Sequence, residues 1–227
     1  MESNLWVISL GGSRIIPKDV DEKFLIRFKE LVNSYPTKKF VVVTGGGSTA
    51  RKYISALRKL KKGIKDQSMA GIAVTRLHAR FLSRFFGKRA NEEIPFSMKK
   101  VKNLLNKNQV VFCGALRYRK KNTSDGTAAK LAAYLKCPFI NLTNIKGLYT
   151  ENPKINKKAK FIPKITWKNF SKLASKIKYE AGQHFVLDQL AAKTIQDEKI
   201  TTYIVGSLDD INNIIRSRKF KGTLVKG

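Results

Sequence analysis

Acidic residues and cysteines are scarce in this chain of 227 residues. Sixteen Asp and Glu stand against 46 Lys and Arg, which gives a formal net charge of +30 at pH 7. A surface of this kind attracts phosphates, nucleic acid or anionic membranes without identifying which. The only cysteines, Cys113 and Cys137, have no zinc-ligand spacing and form no convincing disulfide framework. Both lie in or beside apolar strand candidates, so we expect reduced core residues.

Linkers, repeats, low-complexity segments and long hydrophobic runs are also missing. The first residues lead directly into a strand, without a basic and apolar leader, which predicts a cytoplasmic protein with no membrane span. An apolar share of 42% and an aromatic share of 10% are typical of globular proteins. The length predicts one continuous domain, residues 1–227, built on an open α/β sheet.

Strand and helix signals alternate along the chain. Short apolar runs predict core strands, the last of them at Thr201–Val205, after Leu5–Leu10, Lys39–Val43, Gln109–Cys113 and Phe139–Leu142. Segments with apolar residues at helical spacing lie between these runs. This alternation predicts a mostly parallel central sheet covered by helices.

Glycine clusters follow the first two predicted strands. Gly11 and Gly12 come after the first, and three glycines from Gly45 to Gly47 lead from the second into a helix. Three consecutive glycines cost conformational entropy, which indicates that the bare backbone must lie against something, such as a phosphate. The pair Gly11 and Gly12 could contact a ligand in the same way, but such a pair is as often an ordinary turn. The triplet has neither the Walker nor the dinucleotide-binding spacing. Arg51, one turn into the helix, is either a phosphate ligand or a solvated helix residue, and we favour the phosphate ligand.

The densest cluster of phosphate-competent groups lies between Phe112 and Lys154. Strand, helix and strand signals in this segment predict a βαβ unit, and the loop after its first strand then lies at the carboxyl edge of the sheet. Open α/β proteins bind ligands at that edge. The loop carries the basic residues of Arg117 to Lys121, followed by Asn122 to Asp125, which are helix-capping residue types.

Seven segments, in order, resemble the amino-acid kinase superfamily and within it the archaeal-type uridylate (UMP) kinases. They are SLGGSRIIP, VVVTGGGSTARKYI, GIAVTRLHA, TSDGTAAKLAAYL, NLTNIKGLYTENPK, AGQHFVLDQLAAKTI, and the closing YIVG with KGTLV. The resemblance spans nearly the whole chain and implies a three-layer αβα sandwich with a mostly parallel central sheet. It also implies transfer of the γ-phosphoryl group of ATP, with Mg²⁺, to UMP in pyrimidine nucleotide biosynthesis. Similar enzymes are commonly hexameric, so we expect a homo-oligomer.

The same resemblance implies roles for individual residues. Asp125 would order the reaction centre. By the chemistry of the residues themselves, Asp188 is the other carboxylate suited to a metal or to orienting cations, and it is equally well explained as an ordinary helix cap. No metal ligand is assigned. The triphosphate or adenine side would include Gly12, Ser13, Gly47, Arg51, Thr143, Tyr149 and Asn152. The UMP side would include Gly45, Gly46, Thr123 and Ser124. Independently of the resemblance, the mutual repulsion of the four cations in Arg117 to Lys121 predicts a flexible lid over the acceptor phosphate. Tyr149 is equally well explained as a core aromatic.

Departures from the family pattern keep two alternatives open. A longer basic stretch, RYRKKN, replaces a Pro-Gly-His stretch, and Lys146, Asn152 and Ser68 stand where acids are usual. The chain is therefore also compatible with a kinase of the same superfamily that has another acceptor, or with a non-catalytic nucleotide- or RNA-binding relative. Nucleic-acid binding through the basic surface is not favoured, because no RNP-like sequence is present.

His78 is one of two histidines and has no acid or cysteine partner at ligand spacing. This isolation favours a helix-surface or hydrogen-bonded residue over a metal ligand or a base.

Overall fold

A computed structural model describes residues 3–119, 123–151, 153, 156–175 and 187–227. Its strands, in chain order, are β1 (Leu5–Leu10), β2 (Lys39–Thr44), β3 (Val110–Cys113), β4 (Phe139–Leu142), β5 (Leu148–Tyr149), β6 (Phe161–Ile162), β7 (Lys164–Ile165), β8 (Thr202–Val205) and β9 (Gly222–Val225). Seven of them form the central sheet in the order β3-β2-β1-β4-β8-β9-β7, and β5 pairs with β6 in a separate hairpin. Every neighbouring pair in the central sheet is parallel except β8 and β9.

The helices are α1 (Gly12–Ile15), α2 (Glu22–Asn33), α3 (Gly47–Lys59), α4 (Ile64–Phe86), α5 (Met98–Leu105), α6 (Ser124–Leu135), α7 (Trp167–Ser175), α8 (Gln189–Asp197) and α9 (Leu208–Ile215), with a 3-10 turn at Gly87–Arg89. Side-chain caps begin six of them, at Asp21, Ser97, Thr123, Thr166, Asp188 and Ser207. Each cap accepts a hydrogen bond from an otherwise unpaired N–H of the first turn. Among the described residues, no helix is both long enough and apolar enough to cross a bilayer.

Helices cover both faces of the sheet. On one face α5, α6, α7 and α8 pack over a core that includes Val7, Phe139 and Phe170. On the other face α2, α4 and α9 pack over Ile8 and its neighbours. Successive residues of β1 point to opposite faces, so a strand buried on both faces has a continuous apolar sequence. The predicted three-layer αβα sandwich is confirmed.

The middle of the sheet contains the point where the chain changes direction. β1 and β4 are neighbours, but the chain continues from β1 to β2 on one side and from β4 towards β8 on the other. Loops that leave adjacent parallel strands in opposite directions open a crevice at the carboxyl ends of those strands. The ends of β1 and β4 therefore define where a ligand is expected.

Most predicted strands agree with the structure, but Thr201–Val205 is not the last core strand. β9 follows it and pairs antiparallel with β8. The run that forms β9 has only four residues and begins with Gly222, which strands disfavour, so it gives a weak strand signal. The pairing partner of this run, β8, is what makes it a strand.

Candidate active site

The two glycine loops lie directly against each other. A methyl group added to Gly12 would stand 2.3 Å from the backbone nitrogen of Gly47 and 2.5 Å from the carbonyl oxygen of Gly45. Gly47 also has a positive φ of 57°, a backbone conformation that residues other than glycine rarely adopt. The prediction that bare backbone lies against something therefore finds a partner within the protein, because each loop packs on the other.

The N-terminus of α3 lies in this contact and lacks a side-chain cap. Its N-cap is Gly46, and its first turn contains no acidic residue. The first N–H groups of a helix need an acceptor, and when no side chain supplies one an anion is favoured there. Arg51 is a partly exposed residue of the same helix, so positive charge lies close to this helix start.

Asp125 lies near the start of α6, facing the middle of the sheet. The hydroxyl of Ser9, a buried residue of β1, donates to Asp125 Oδ1 over 2.6 Å. The pKa of Asp125 is raised to about 7, mainly because the carboxyl loses contact with water, and to a smaller extent because of the negative charge of Asp188, while the hydrogen bond from Ser9 acts to lower it. Sequence reasoning missed Ser9, although a lone hydroxyl residue inside the apolar run LWVISL is a usable signal.

Thr123 joins the starts of two helices. Its Oγ1 accepts from the backbone N–H groups of Asp125 and Gly126, at 3.1 and 3.3 Å. The same hydroxyl donates to Asp188 Oδ2, and Oδ1 of Asp188 accepts from the backbone N–H of Ala191, at 2.8 Å, to cap α8. The first turns of α6 and α8 therefore bring two carboxylates close together. Ser124 is the first residue of α6 and is partly buried.

Arg14 crosses the crevice between the ends of β1 and β4. Its Nε and Nη2 donate to the carbonyl oxygen of Thr143, at 3.1 and 2.8 Å. Its Nη2 also donates to the carbonyl oxygen of Gly206, just after β8. Burial lowers the pKa of Arg14. Sequence reasoning predicted Thr143 and, beside Arg14, Ser13 in α1, but it missed the arginine that ties these loops together.

A basic cavity of about 260 Å³ lies beside the first half of α6. Its lining is Phe96, Ser97, Met98, Leu116, Arg117, Arg119, Thr127 and Lys130. Burial lowers the pKa of Lys130, the charge of Arg119 lowers it further, and the charge of Asp188 raises it. The start of the predicted basic lid therefore faces a cavity close to Asp188. Lys120, Lys121 and Asn122 lie outside the described residues, and the lid stays a prediction.

The other predicted residues lie in different surroundings. Tyr149 belongs to the β5–β6 hairpin, where its ring meets that of Phe161 edge-on, with centroids 5.4 Å apart. The ammonium group of Lys146 lies 4.9 Å from the centre of the same Phe161 ring. The hydroxyl of Ser68 donates a hydrogen bond to the carbonyl oxygen of Ile64 in the same helix. Asn152 lies outside the described residues.

The two cysteines and His78 are core residues. Cys113 and Cys137 are buried free thiols, and burial raises the pKa of each to about 12. His78 is also buried, and its ring bonds the carbonyl oxygen of Gly45. Of the two expected settings for His78, the hydrogen-bonded one is confirmed and the helix surface is wrong.

Comparisons with known proteins agree with this architecture. The uridylate kinase of Thermococcus kodakarensis is 34% identical over 224 residues, which cover 97% of this chain and 98% of that protein. The uridylate kinase of Methanopyrus kandleri is 32% identical over 226 residues, covering 97% and 99% of the two chains.

Solved structures give the same result. The crystal structure of uridylate kinase from Archaeoglobus fulgidus matches with a TM-score of 0.83 and 31% identity, over 97% of this chain and 99% of that one. UMP kinase from Ureaplasma parvum shares the fold, with a TM-score of 0.80 at 19% identity over the whole of both chains. The family model described as "Amino acid kinase family" matches residues 4–206. This chain belongs to the amino acid kinase family.

Proposed function

We propose that this chain transfers the γ-phosphoryl group of ATP to UMP, giving UDP and ADP, as a step of pyrimidine nucleotide biosynthesis in the cytoplasm. Near full-length similarity to proteins named uridylate kinase supports the substrates. The observation that carries the proposal is the contact between the two glycine loops at the crevice. Two backbone segments free of side chains, beside an uncapped helix start, suit a reaction between two phosphorylated substrates.

The proposed roles follow the family resemblance. Gly12, Ser13, Gly47, Arg51, Thr143, Tyr149 and Asn152 would serve ATP, and Gly45, Gly46, Thr123 and Ser124 would serve UMP. Asp125 would order the reaction centre between the two substrates. Its partly buried position at the start of α6 and its hydrogen bond from Ser9 support this role, since both restrict the direction of the carboxyl group.

The chemistry needs positioning and charge neutralisation rather than a general base, because the phosphate of UMP is already ionised at neutral pH. The free N–H groups at the start of α3 and the cation of Arg51 would neutralise phosphate oxygens. Arg117 and Arg119, on the wall of the basic cavity, would add long-range attraction for the acceptor. Interactions fixed before the substrates arrive lower the barrier most, because no reorganisation is needed during transfer.

Asp125 and Asp188 fit a Mg²⁺ ion that arrives with ATP. Mg²⁺ is usually held by one or two carboxylates together with substrate phosphates and water. Within the described part of the chain, no cluster of three or more His, Cys, Asp or Glu side chains could hold a metal without the nucleotide. When bound, the ion would supply charge neutralisation at the phosphates. Asp125 must be ionised for this role, and a nearby cation favours the ionised form.

The proposal includes one continuous kinase domain, residues 1–227, that assembles into a hexamer. Exposed large apolar side chains on α3, at its C-cap and on α4 support contact between copies, and they are Tyr53, Leu60, Ile64, Met69, Leu77 and Phe81. Large apolar groups exposed together favour protein contacts. Light scattering after size-exclusion chromatography gives the mass, and a monomer at micromolar concentration would contradict the assembly.

An ADP-release assay over a panel of acceptors tests the function. With ATP and Mg²⁺, we expect turnover on UMP and much less on CMP, AMP, acetylglutamate, aspartate and isopentenyl phosphate. Equal activity on CMP, or none on UMP, would contradict the proposal. Turnover on another acceptor would identify the alternative kinase, and ATP binding without any turnover would identify the non-catalytic relative. Asp125→Ala serves as the inactive control.

A further inference from the structure

His78 has a buried hydrogen bond whose direction fixes its tautomer. Its side chain is almost fully buried, at 2% exposure, and its Nδ1 lies 2.8 Å from the carbonyl oxygen of Gly45. A carbonyl oxygen only accepts, so Nδ1 must carry the proton. In the neutral ring Nε2 then has a lone pair, and this atom is buried without a hydrogen-bond partner among the described residues.

An unpaired buried nitrogen makes histidine a poor choice for packing alone. A leucine at this position of α4 would fill similar space without a buried polar atom that lacks a partner. Among the residues that the structure describes, the polar interaction of His78 is with Gly45. The side chain is therefore explained by what it does to the glycine loop rather than by its contribution to the core.

The hydrogen bond from His78 determines which way one peptide unit faces. In a trans peptide the C=O and the following N–H point in opposite directions. Because the Gly45 carbonyl points to α4, the N–H of Gly46 points away from α4. The N–H of Gly45 is also held, by the carbonyl oxygen of Leu10 at 2.9 Å, so the turn is fixed on both sides of Gly45.

The same turn of α4 holds the loop after β3. The hydroxyl of Thr75 accepts from the N–H of Ala115 at 3.0 Å. Arg76 donates to the carbonyl oxygens of Ala115 and Leu116, at 3.1 and 2.8 Å. Within four residues, α4 thus forms hydrogen bonds to the loops that follow β2 and β3, which are neighbouring strands. His78 is the member of this group that reaches the glycine loop.

We propose that His78 is a positioning residue for the acceptor, which acts by holding the Gly45 carbonyl so that the Gly46 N–H faces the acceptor phosphate. The inference rests on the proposed function, because Gly45 and Gly46 are the proposed UMP-side glycines. His78 itself touches no substrate. Removing its Nδ1–H leaves the fold in place and lets the Gly45–Gly46 peptide rotate, which weakens acceptor binding more than ATP binding.

Three substitutions separate the hydrogen bond from packing. In His78→Asn the amide nitrogen stands where Nδ1 was, so the donor is retained. In His78→Gln the amide lies one bond farther out, and in His78→Leu the donor is lost. We expect the KM for UMP to stay within about threefold in the Asn variant and to rise at least tenfold in the Gln and Leu variants, with the KM for ATP changing by less than threefold. Arg80→Asn, at an exposed position of the same helix, is the control and should match the native protein.

Urea unfolding of each variant accompanies the kinetics. A structural role would make KM follow stability, whereas positioning makes the Asn and Gln variants differ in KM at similar stability. Equal KM values for UMP in the Asn, Gln and Leu variants would overturn the proposal.

A measurement that needs no activity distinguishes this inference from the proposed function. His184, which lies outside the described residues, is changed to Gln so that His78 is the one remaining histidine. The ¹⁵N NMR spectrum of the ring should then show a protonated Nδ1 and an unprotonated Nε2. A protonated Nε2 with a bare Nδ1 would refute the positioning role even in an active kinase. If the expected tautomer is found in a protein that does not phosphorylate UMP, the proposed function and the role of His78 in acceptor binding are both refuted. Only the hydrogen bond between His78 and Gly45 is then supported.

Discussion

Replacing Asp125 with Asn should stabilise the protein at alkaline pH. The pKa of this carboxyl is 3.8 in an unstructured chain and about 7 in the folded protein. Between these values the folded state binds a proton that the unfolded state has lost, so stability falls as pH rises through this range. The whole difference corresponds to about 4 kcal/mol, and about 3 kcal/mol of it falls between pH 5 and pH 8.5. Because Asp125 is partly exposed, these are upper bounds.

Asparagine keeps the shape of the side chain and still accepts the hydrogen bond from Ser9, but it never ionises. The native protein should therefore lose stability relative to Asp125→Asn as pH rises from 5 to 8.5, by about 2 to 3 kcal/mol. Urea unfolding followed by tryptophan fluorescence at the two pH values measures the difference. The changes shared by both proteins, such as the titration of His78, cancel in the comparison.

Asp209→Asn is the matched control. Asp209 is an exposed acid of α9, and it lies 3.3 Å from Arg27. Its replacement should change stability by less than about 0.5 kcal/mol at either pH. Asp125→Asn should at the same time lose kinase activity, because the carboxylate that lowers stability is the group proposed to organise the reaction centre. Parallel pH profiles for the native protein and Asp125→Asn would refute the claim that burial favours the protonated carboxyl.

Three further outcomes test the site. Arg51→Ala should raise the Kd for ATP about tenfold and leave urea unfolding unchanged, because the side chain is partly exposed; an unchanged ATP affinity would favour a solvated helix residue. Replacing Arg117 and Arg119 with Gln should reduce the increase of the KM for UMP with salt concentration, because screening then has fewer charges to act on. Thr123→Val should raise the KM for UMP but leave its dependence on salt unchanged. An equal salt dependence in the native and double-Gln proteins would assign these cations to the general basic surface. Arg14→Ala should lower the free energy of unfolding by about 1 to 3 kcal/mol, because two partly buried carbonyl groups lose their donor. A change below about 0.5 kcal/mol would contradict the bonds seen at Thr143 and Gly206.

The central strands and the glycine loops could be predicted from the sequence because their signals are local. The apolar run of β1 ends at the glycine turn, and both features lie within a few residues of each other. Ser9 and Arg14 were missed because their roles come from partners distant in sequence. Ser9 meets an acid 116 residues later, and Arg14 reaches a carbonyl 192 residues later. No local pattern contains such a pairing, which exists only once the sheet has formed.

The glycine triplet shows a different limit. Its sequence indicated a close neighbour for the backbone at Gly45 to Gly47, and that indication was correct. The identity of the neighbour was not contained in the pattern, because a phosphate and another bare backbone require the same absence of a side chain. Only the contact between Gly12 and Gly47 shows that the protein itself satisfies part of this requirement.

That contact also affects how strongly each substrate favours the binding of the other. Under the proposed roles, Gly12 and Gly47 serve ATP, Gly45 serves UMP, and backbone atoms of all three are already at contact distance. A nucleotide that fixes one loop therefore removes freedom from the other before the second nucleotide arrives. Each substrate should tighten the other, and thermodynamic linkage requires the two factors to be equal. Synergy between ATP and UMP would then come from touching loops, with no change of subunit arrangement required.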